Sequence, residues 1–428
     1  MNMITKSGTS IFHGNAFEFL RNSALDANYY FNNYNGLPKT LLHLSQFGAS
    51  GGGPIFIPKI YRKKDRTFFF SLYEGYRSSG TSANSLTAPT SALKAGDLSA
   101  ILGGQVGTDA LCRPVFSGQI YNPQSYQTTA SCGSDAGKTV YIRYPITGNN
   151  LSGMIDPVAG NLLQYFPKPT NSSQFNNFYA VQGVPITSDE FSVRIDHNLT
   201  DNIRLYGRIS HKSQGQTQVG DLYGANDAGG PGQLSPNKRL SVALGYSQVF
   251  SRTLTASVNA GFQRWVASSD AQGYPFKPST LGLPAAIDAI SPSFPAINFS
   301  ADASLLNAGL TSAYTPLGSP GQSSTPSNIG TISADVTKVI EPHTFSVGYM
   351  GTLQQLNSVS ISKTFFDFTQ GFTSGPDPTN PVPGTGDSFA SFLLGNPVSG
   401  STGIVISPSE TKKNHGCTSR MTGKPRGN

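Results

Sequence analysis

Apolar and polar residues alternate with a period of two along several stretches of this chain. Over residues 190–199, Phe191, Val193, Ile195 and Leu199 share one face, while Ser192, Arg194, Asp196 and Asn198 share the other. Residues 203–212 repeat the pattern, with Ile203, Leu205, Gly207 and Ile209 set against Arg204, Tyr206, Arg208 and Ser210. Successive side chains of a strand point to opposite faces, so each stretch predicts a β-strand with one apolar and one polar side. Only Thr200, Asp201 and Asn202 separate the two, which is turn chemistry and makes the pair a hairpin.

The unit recurs twice downstream. Leu240, Val242, Leu244 and Tyr246 alternate before a turn at Ser251 and Arg252, and Leu254, Ala256, Val258, Ala260 and Phe262 alternate after it. Ile332, Ala334 and Val336 then lead to a turn at Glu341 and Pro342, followed by Phe345, Val347, Tyr349 and Leu353. Residues 188–213, 240–266 and 328–356 are therefore expected to form three antiparallel hairpins with their short turns at one end. The joining stretches 214–239 and 267–327 are rich in Gly, Pro, Ser and Asp and are expected to be long loops at the other end. Structureless loops longer than about 12–15 residues are uncommon in a soluble domain. Outer-membrane barrels combine short periplasmic turns, long extracellular loops and strands that alternate apolar outward with polar inward. On that reading Arg194, Asp196, Arg204 and Arg208 face a watery lumen; in a secreted β-sandwich they would face solvent.

The N-terminal third fits with less regularity. Residues 11–20, 45–57 and 66–77 read as strands, and Phe68, Phe69 and Phe70 place aromatics on both faces, as suits a strand at a lipid interface or an ordinary buried strand. A long irregular insertion is expected from about 78 to 187.

Composition supports strands. Only 12% of residues are charged, too few for an ordinary soluble surface at about 25%. The 47 glycines and 29 prolines interrupt helices, while the 11% aromatic content suits pleated sheet. No apolar run approaches the roughly 18 residues of a transmembrane helix. The opening MNMITKSGTS lacks the features of a secretory signal, so either the protein stays inside or its true N-terminus lies upstream. The net charge of +7 raises nucleic acid as a partner. Its densest cluster, Arg62, Lys63, Lys64 and Arg66 broken by Asp65, sits between two strand-like runs and reads as a turn, so no nucleic-acid partner is expected. Cys112 and Cys132 lie in Gly/Ser-rich sequence, where a loop disulfide and two unrelated thiols both fit; Cys417 carries no inference.

Several segments carry a resemblance. NMITKSGTSIFHGNAFEFLRNSALDANYYF, then QFGASGGGPIFIP and DRTFFFSLYEGYR, are followed in order by TAPTSALKAGDLSA, IDPVAGNLLQYFPKP, DEFSVRIDHNLTDNIRLYGRIS and FASFLLGNP. This series closely resembles TonB-dependent outer-membrane receptors of the Oar-like class. The resemblance implies an all-β fold, a partial antiparallel transmembrane β-barrel whose open, curved sheet bears long extracellular loops. Residues 1–9 would end a plug domain, 10–397 would form the N-terminal part of the barrel, and 398–428 would be a divergent, disordered tail left by a frameshift or truncation. About 22 strands are implied for the whole barrel, roughly nine or ten of them here, so the chain reads as a fragment. The implied setting is the cell outer membrane. The implied partners are outer-membrane lipid, a TonB-type energy-transducing complex for the full-length relative, and a bulky ligand of unknown identity. The implied function is ligand binding and energy-coupled uptake, for which the fragment alone would not suffice. A secreted or cell-surface β-rich adhesin is the rival reading.

An enzyme is not expected. The six histidines form no H-E-x-x-H motif, no G-x-S-x-G elbow is present, and GASGGGP lacks the Lys-Ser/Thr ending of a phosphate loop. His197 and Asp196 are neighbours on a strand and point to opposite faces. Gly51, Gly52 and Gly53 read instead as a bend or a close backbone approach. No catalytic, cofactor-binding or metal-binding residue is assigned, no cofactor is expected, and the ligand-binding residues stay unknown.

Overall fold

Ten antiparallel strands run up and down in sequence order in a computed structural model of the chain, which describes residues 6–34, 39, 41–56, 65–132, 136–218, 229–230, 233–300, 314–318, 321–361, 363–403 and 407–423. They are β1 (His13–Asn22), β2 (Leu42–Pro54), β3 (Thr67–Leu86), β4 (Ile186–Asn198), β5 (Ile203–Gln218), β6 (Gln233–Ser251), β7 (Leu254–Ala271), β8 (Ser323–Ile340), β9 (His343–Asn357) and β10 (Ser409–Gly423). Each pairs with its neighbours in the chain, and β1 and β10 end the path. The sheet does not close on itself among the described residues. Two short strands attach beside this path, Phe178–Gly183 on β3 and Val359–Ser360 on β8.

The three hairpins form as the alternation predicts. Residues 199–202, 252–253 and 341–342 turn at one end, which is also where β2 leads to β3. The strand ends that lead into and out of 23–41, 87–185, 219–232, 272–322 and 358–408 all lie at the other. Short turns face the periplasm and long loops the exterior in outer-membrane barrels, which orients the sheet.

Register carries the alternation across strands. Val193, Ile209, Val242, Phe262, Gly330 and Leu353 stand in one row; Ile195, Gly207, Leu244, Ala260, Ile332 and Gly351 stand in the next. This face is exposed although apolar: Leu244 is 57% and Val347 61% accessible. A soluble sheet would bury such a face, whereas lipid satisfies it. On β7 the outward apolar positions run from Leu254 to Phe262, eight steps of about 3.4 Å, which a tilt of about 40° converts to a height of about 21 Å, most of the ~25 Å lipid band. No helix among the described residues is long and apolar enough to cross a membrane.

Three expectations need correction. The stretches 214–239 and 267–327 are not loop throughout: β5 and β6 pair out to Gln218 with Gln233, and β7 and β8 to Ser269 with Ser323. Above the lipid band both sheet faces meet water, so hydrophobic alternation stops while backbone pairing continues. The insertion expected from 78 likewise starts late, since β3 runs to Leu86. The tail expected to be disordered over 398–428 contains β10, paired with β9 from Ser409 opposite Asn357 to Gly423 opposite His343. Backbone hydrogen bonds hold that strand, and the polar sequence SETKKNHGCTSRMTG gave no periodic signal. Arg62, Lys63 and Lys64 lie outside the described residues; Arg66 donates to the Leu199 carbonyl at 3.1 Å, across the short-turn end.

Candidate functional site

The described parts of the connections 87–185, 272–322 and 358–408 fold together into a cap whose core holds most of the buried apolar side chains among the described residues, including Leu93, Ile120, Leu162, Phe294, Phe389 and Phe392. Three short helices supply much of it, each started by a capping side chain. Thr90 accepts from the Leu93 amide ahead of the helix Ser91–Lys94. Asp156 accepts from the amides of Val158 and Ala159 at 2.8 and 3.1 Å, with Pro157 in the first helical position, where its missing N–H costs nothing. Asp387 accepts from the Ala390 amide at 2.9 Å and starts Ser388–Leu393, every residue of which is buried. The rings of Phe389 and Phe392 pack 5.4 Å apart, and Phe166 meets Phe392 edge-on at 5.6 Å.

Many buried polar groups in the cap are hydrogen-bonded, although the Ser293 hydroxyl, the Gln272 side-chain oxygen and one guanidinium nitrogen each of Arg113 and Arg143 are buried without a partner among the described residues. Asn177 exchanges two hydrogen bonds with the backbone of Ala88. Asn149 accepts from the Ile120 amide at 3.0 Å and donates to the Gly118 carbonyl at 2.8 Å. Lys94 donates to the Phe166 carbonyl at 2.9 Å, and burial, with help from the Lys168 charge, holds its ammonium pKa below the ordinary lysine value. Cys112 and Cys132 form a disulfide, which settles the alternative that their spacing left open. A cavity of about 190 Å³ in the cap is lined by apolar groups including Val158, Leu162, Ile297, Phe368 and Phe392, together with Asp156.

The second component is the polar sheet face below the cap. Arg194, Asp196, Arg204 and Arg208, singled out by the alternation, all lie on it. Arg194 pairs with Asp196 at 2.7 Å and places its guanidinium 4.3 Å from the centre of the Tyr206 ring. Tyr206 in turn donates to Asn259 on β7 at 3.2 Å, and Lys212 pairs with Glu190 at 3.3 Å. His197 sits on the opposite face beside Thr67, 2.7 Å from its hydroxyl, so it is apart from Asp196 as its position on the strand requires. Gly52 and Gly53 mark a close approach: a β-carbon on Gly53 would lie 2.3 Å from the Phe12 ring, and one on Gly52 3.0 Å from the Phe69 carbonyl oxygen.

The cap residues were missed by periodicity, because no single segment of the cap is long enough to show one. The Asp-Pro of Asp156 and Pro157 is a helix-start signal that marks one of these segments. The segments quoted for the family resemblance are better markers: Thr87–Ala100, Ile155–Pro169 and Phe389–Pro397 converge on this one core.

A family model described as an outer membrane beta barrel domain matches residues 4–416. Among solved structures, the open form of the ferric-catecholate import receptor Fiu from E. coli K12 is similar at 11% identity and a TM-score of 0.35, over 98% of this chain and 48% of that one. The chain thus spans about half the length of that receptor. No curated protein matches the sequence. With nearly its whole length inside the family match and an apolar sheet face open to lipid, this chain belongs to the outer membrane beta barrel domain family, and its place is the outer membrane.

Proposed function

We propose that the chain is part of a TonB-dependent receptor of the Oar-like class, in which the cap captures a bulky ligand and the polar sheet face lines the route by which it is taken up. The observation that carries this reading is the convergence of Thr87–Ala100, Ile155–Pro169 and Phe389–Pro397 on one packed core outside the lipid band. Segments that mark the resemblance thus build the surface a ligand would meet first. A fixed cap presents a pre-formed surface, which lowers the ordering cost of binding. Below it, the paired charges of Arg194, Asp196, Lys212 and Glu190 suit a water-filled passage. The role is binding and transfer without catalysis; the separation of His197 from Asp196 supports this by removing the nearest acid-base pair.

Energy would come from a TonB-type complex of the inner membrane. The ten strands described here leave β1 and β10 without outer partners, and hydrocarbon cannot satisfy an open sheet edge. Further strands would close the barrel, and the 428 residues alone would not transport.

The test compares solute depletion from the medium by wild-type and gene-deleted cells, by mass spectrometry, with and without a protonophore. A solute whose depletion needs both the gene and the proton-motive force is expected. Depletion that ignores the protonophore would remove the TonB-coupled reading. A monomeric, heat-modifiable 428-residue product that alone restores energy-dependent depletion would overturn the partial-barrel reading.

A further inference from the structure

Just above the outward apolar band on the cap side, β5, β6 and β7 place three basic side chains on the face that turns away from the polar wall. Arg264 stands opposite Leu240, and Leu240 opposite His211; Lys238 stands one step further along the same face, opposite Ser213 and Val266. Lys238 is thus the diagonal neighbour of both other residues, at a spacing of about 7–8 Å that long side chains bridge with ease. All three are exposed. Arg264 donates to the neutral side chain of Asn328 at 3.1 Å, and among the described residues no carboxylate lies within ion-pair distance of Lys238 or Arg264. The nearest acid on this face, Asp189 on β4, is engaged by Arg77 at 2.7 Å and by the Tyr73 hydroxyl at 2.6 Å. Directly towards the membrane centre the same three strands present Ile209, Val242 and Phe262.

We propose that Lys238 and Arg264, with His211 beside them, hold the phosphate of an outer-leaflet lipid whose acyl chains lie over Ile209, Val242 and Phe262. Two cations left without acid partners at headgroup height, above an apolar surface, complement an anion that carries its own hydrocarbon. A phosphate bridges the two side chains, and the sheet below supplies the area that a free anion could not use. The site follows from the outward face of the family's barrel and does not depend on uptake.

The experiment uses the full 428-residue chain purified in detergent, with lipid A as probe and bound lipid counted by native mass spectrometry. Phosphorylated lipid A is retained by the wild type, and its dephosphorylated form is not. The double variant K238E/R264E loses at least about tenfold in retention, while K238R/R264K keeps it. R239E is the matched control, because Arg239 is adjacent in sequence but pairs with Lys212 on the opposite face; its retention stays at the wild-type level. Equal retention of the dephosphorylated lipid, or an equal loss in R239E, would overturn the site. Displacement by excess inorganic phosphate would assign the cations to free phosphate and overturn the lipid. If the charge-reversal variant loses its strand signal in circular dichroism, the three probes on the wild type decide the matter.

Discussion

The Tyr314 hydroxyl donates to the Asp387 carboxylate across 3.1 Å inside the cap, joining the connection between β7 and β8 to the one between β9 and β10. Asp387 also starts the helix Ser388–Leu393, so one carboxylate ties a tertiary contact to a helix cap. Burial pushes the Tyr314 pKa well above the ordinary tyrosine value, and the Asp387 charge and hydrogen bond add to it.

A tyrosine whose folded pKa is raised stabilises fully below the unfolded value and loses that contribution as pH climbs towards the folded one. The cap is therefore expected to loosen above about pH 10, followed by near-ultraviolet circular dichroism. Tyr314→Phe should cost about 1–2 kcal/mol at neutral pH and flatten the alkaline part of the profile. An unchanged alkaline profile in that variant would remove Tyr314 as its source.

Phe392 is 1% exposed and touches Phe166, Phe299, Phe368 and Phe389 from three connections. Phe392→Ala should destabilise the cap by about 3–5 kcal/mol, through lost transfer energy and the hole left behind. Limited proteolysis should then cut within 87–185 and 358–408 while the short turns at 199–202 and 252–253 stay resistant. Equal sensitivity of cap and turns would mean that the two are one cooperative unit.

The disulfide between Cys112 and Cys132 closes a loop with a sequence separation of 20, beside the bond from the Cys132 amide to the Ala110 carbonyl at 2.7 Å. Reduction should lower cap stability by about 3 kcal/mol and leave the sheet intact. Cys112→Ser with Cys132→Ser should behave as the reduced protein does. Hydrogen exchange of segment 105–142 before and after reductant reads the effect.

Leu244 and Ala243 are neighbours on β6 that face lipid and lumen respectively. Leu244→Arg near the middle of the apolar band should cost about 2–4 kcal/mol of membrane stability, while Ala243→Arg should cost much less. Partition of the two variants between outer-membrane and soluble fractions measures the difference. Equal partition would contradict the assignment of the faces.

Alternation alone determined the three hairpins, their faces and the end at which they turn, because inside the lipid band every second side chain meets hydrocarbon and the chain must record that. Val193, Ile209, Val242 and Phe262 are read from sequence as readily as from the structure. Outside the band the record fades: Gln214–Gln218 and Ser409–Gly423 are held by backbone hydrogen bonds, which place no demand on side-chain polarity. The cap was least legible. Leu93, Leu162, Phe294 and Phe392 belong to segments too short to show a period, and each becomes core only when connections some three hundred residues apart meet. For the same reason the spacing of Cys112 and Cys132 left their pairing open until the fold brought their Cα atoms to 6.0 Å.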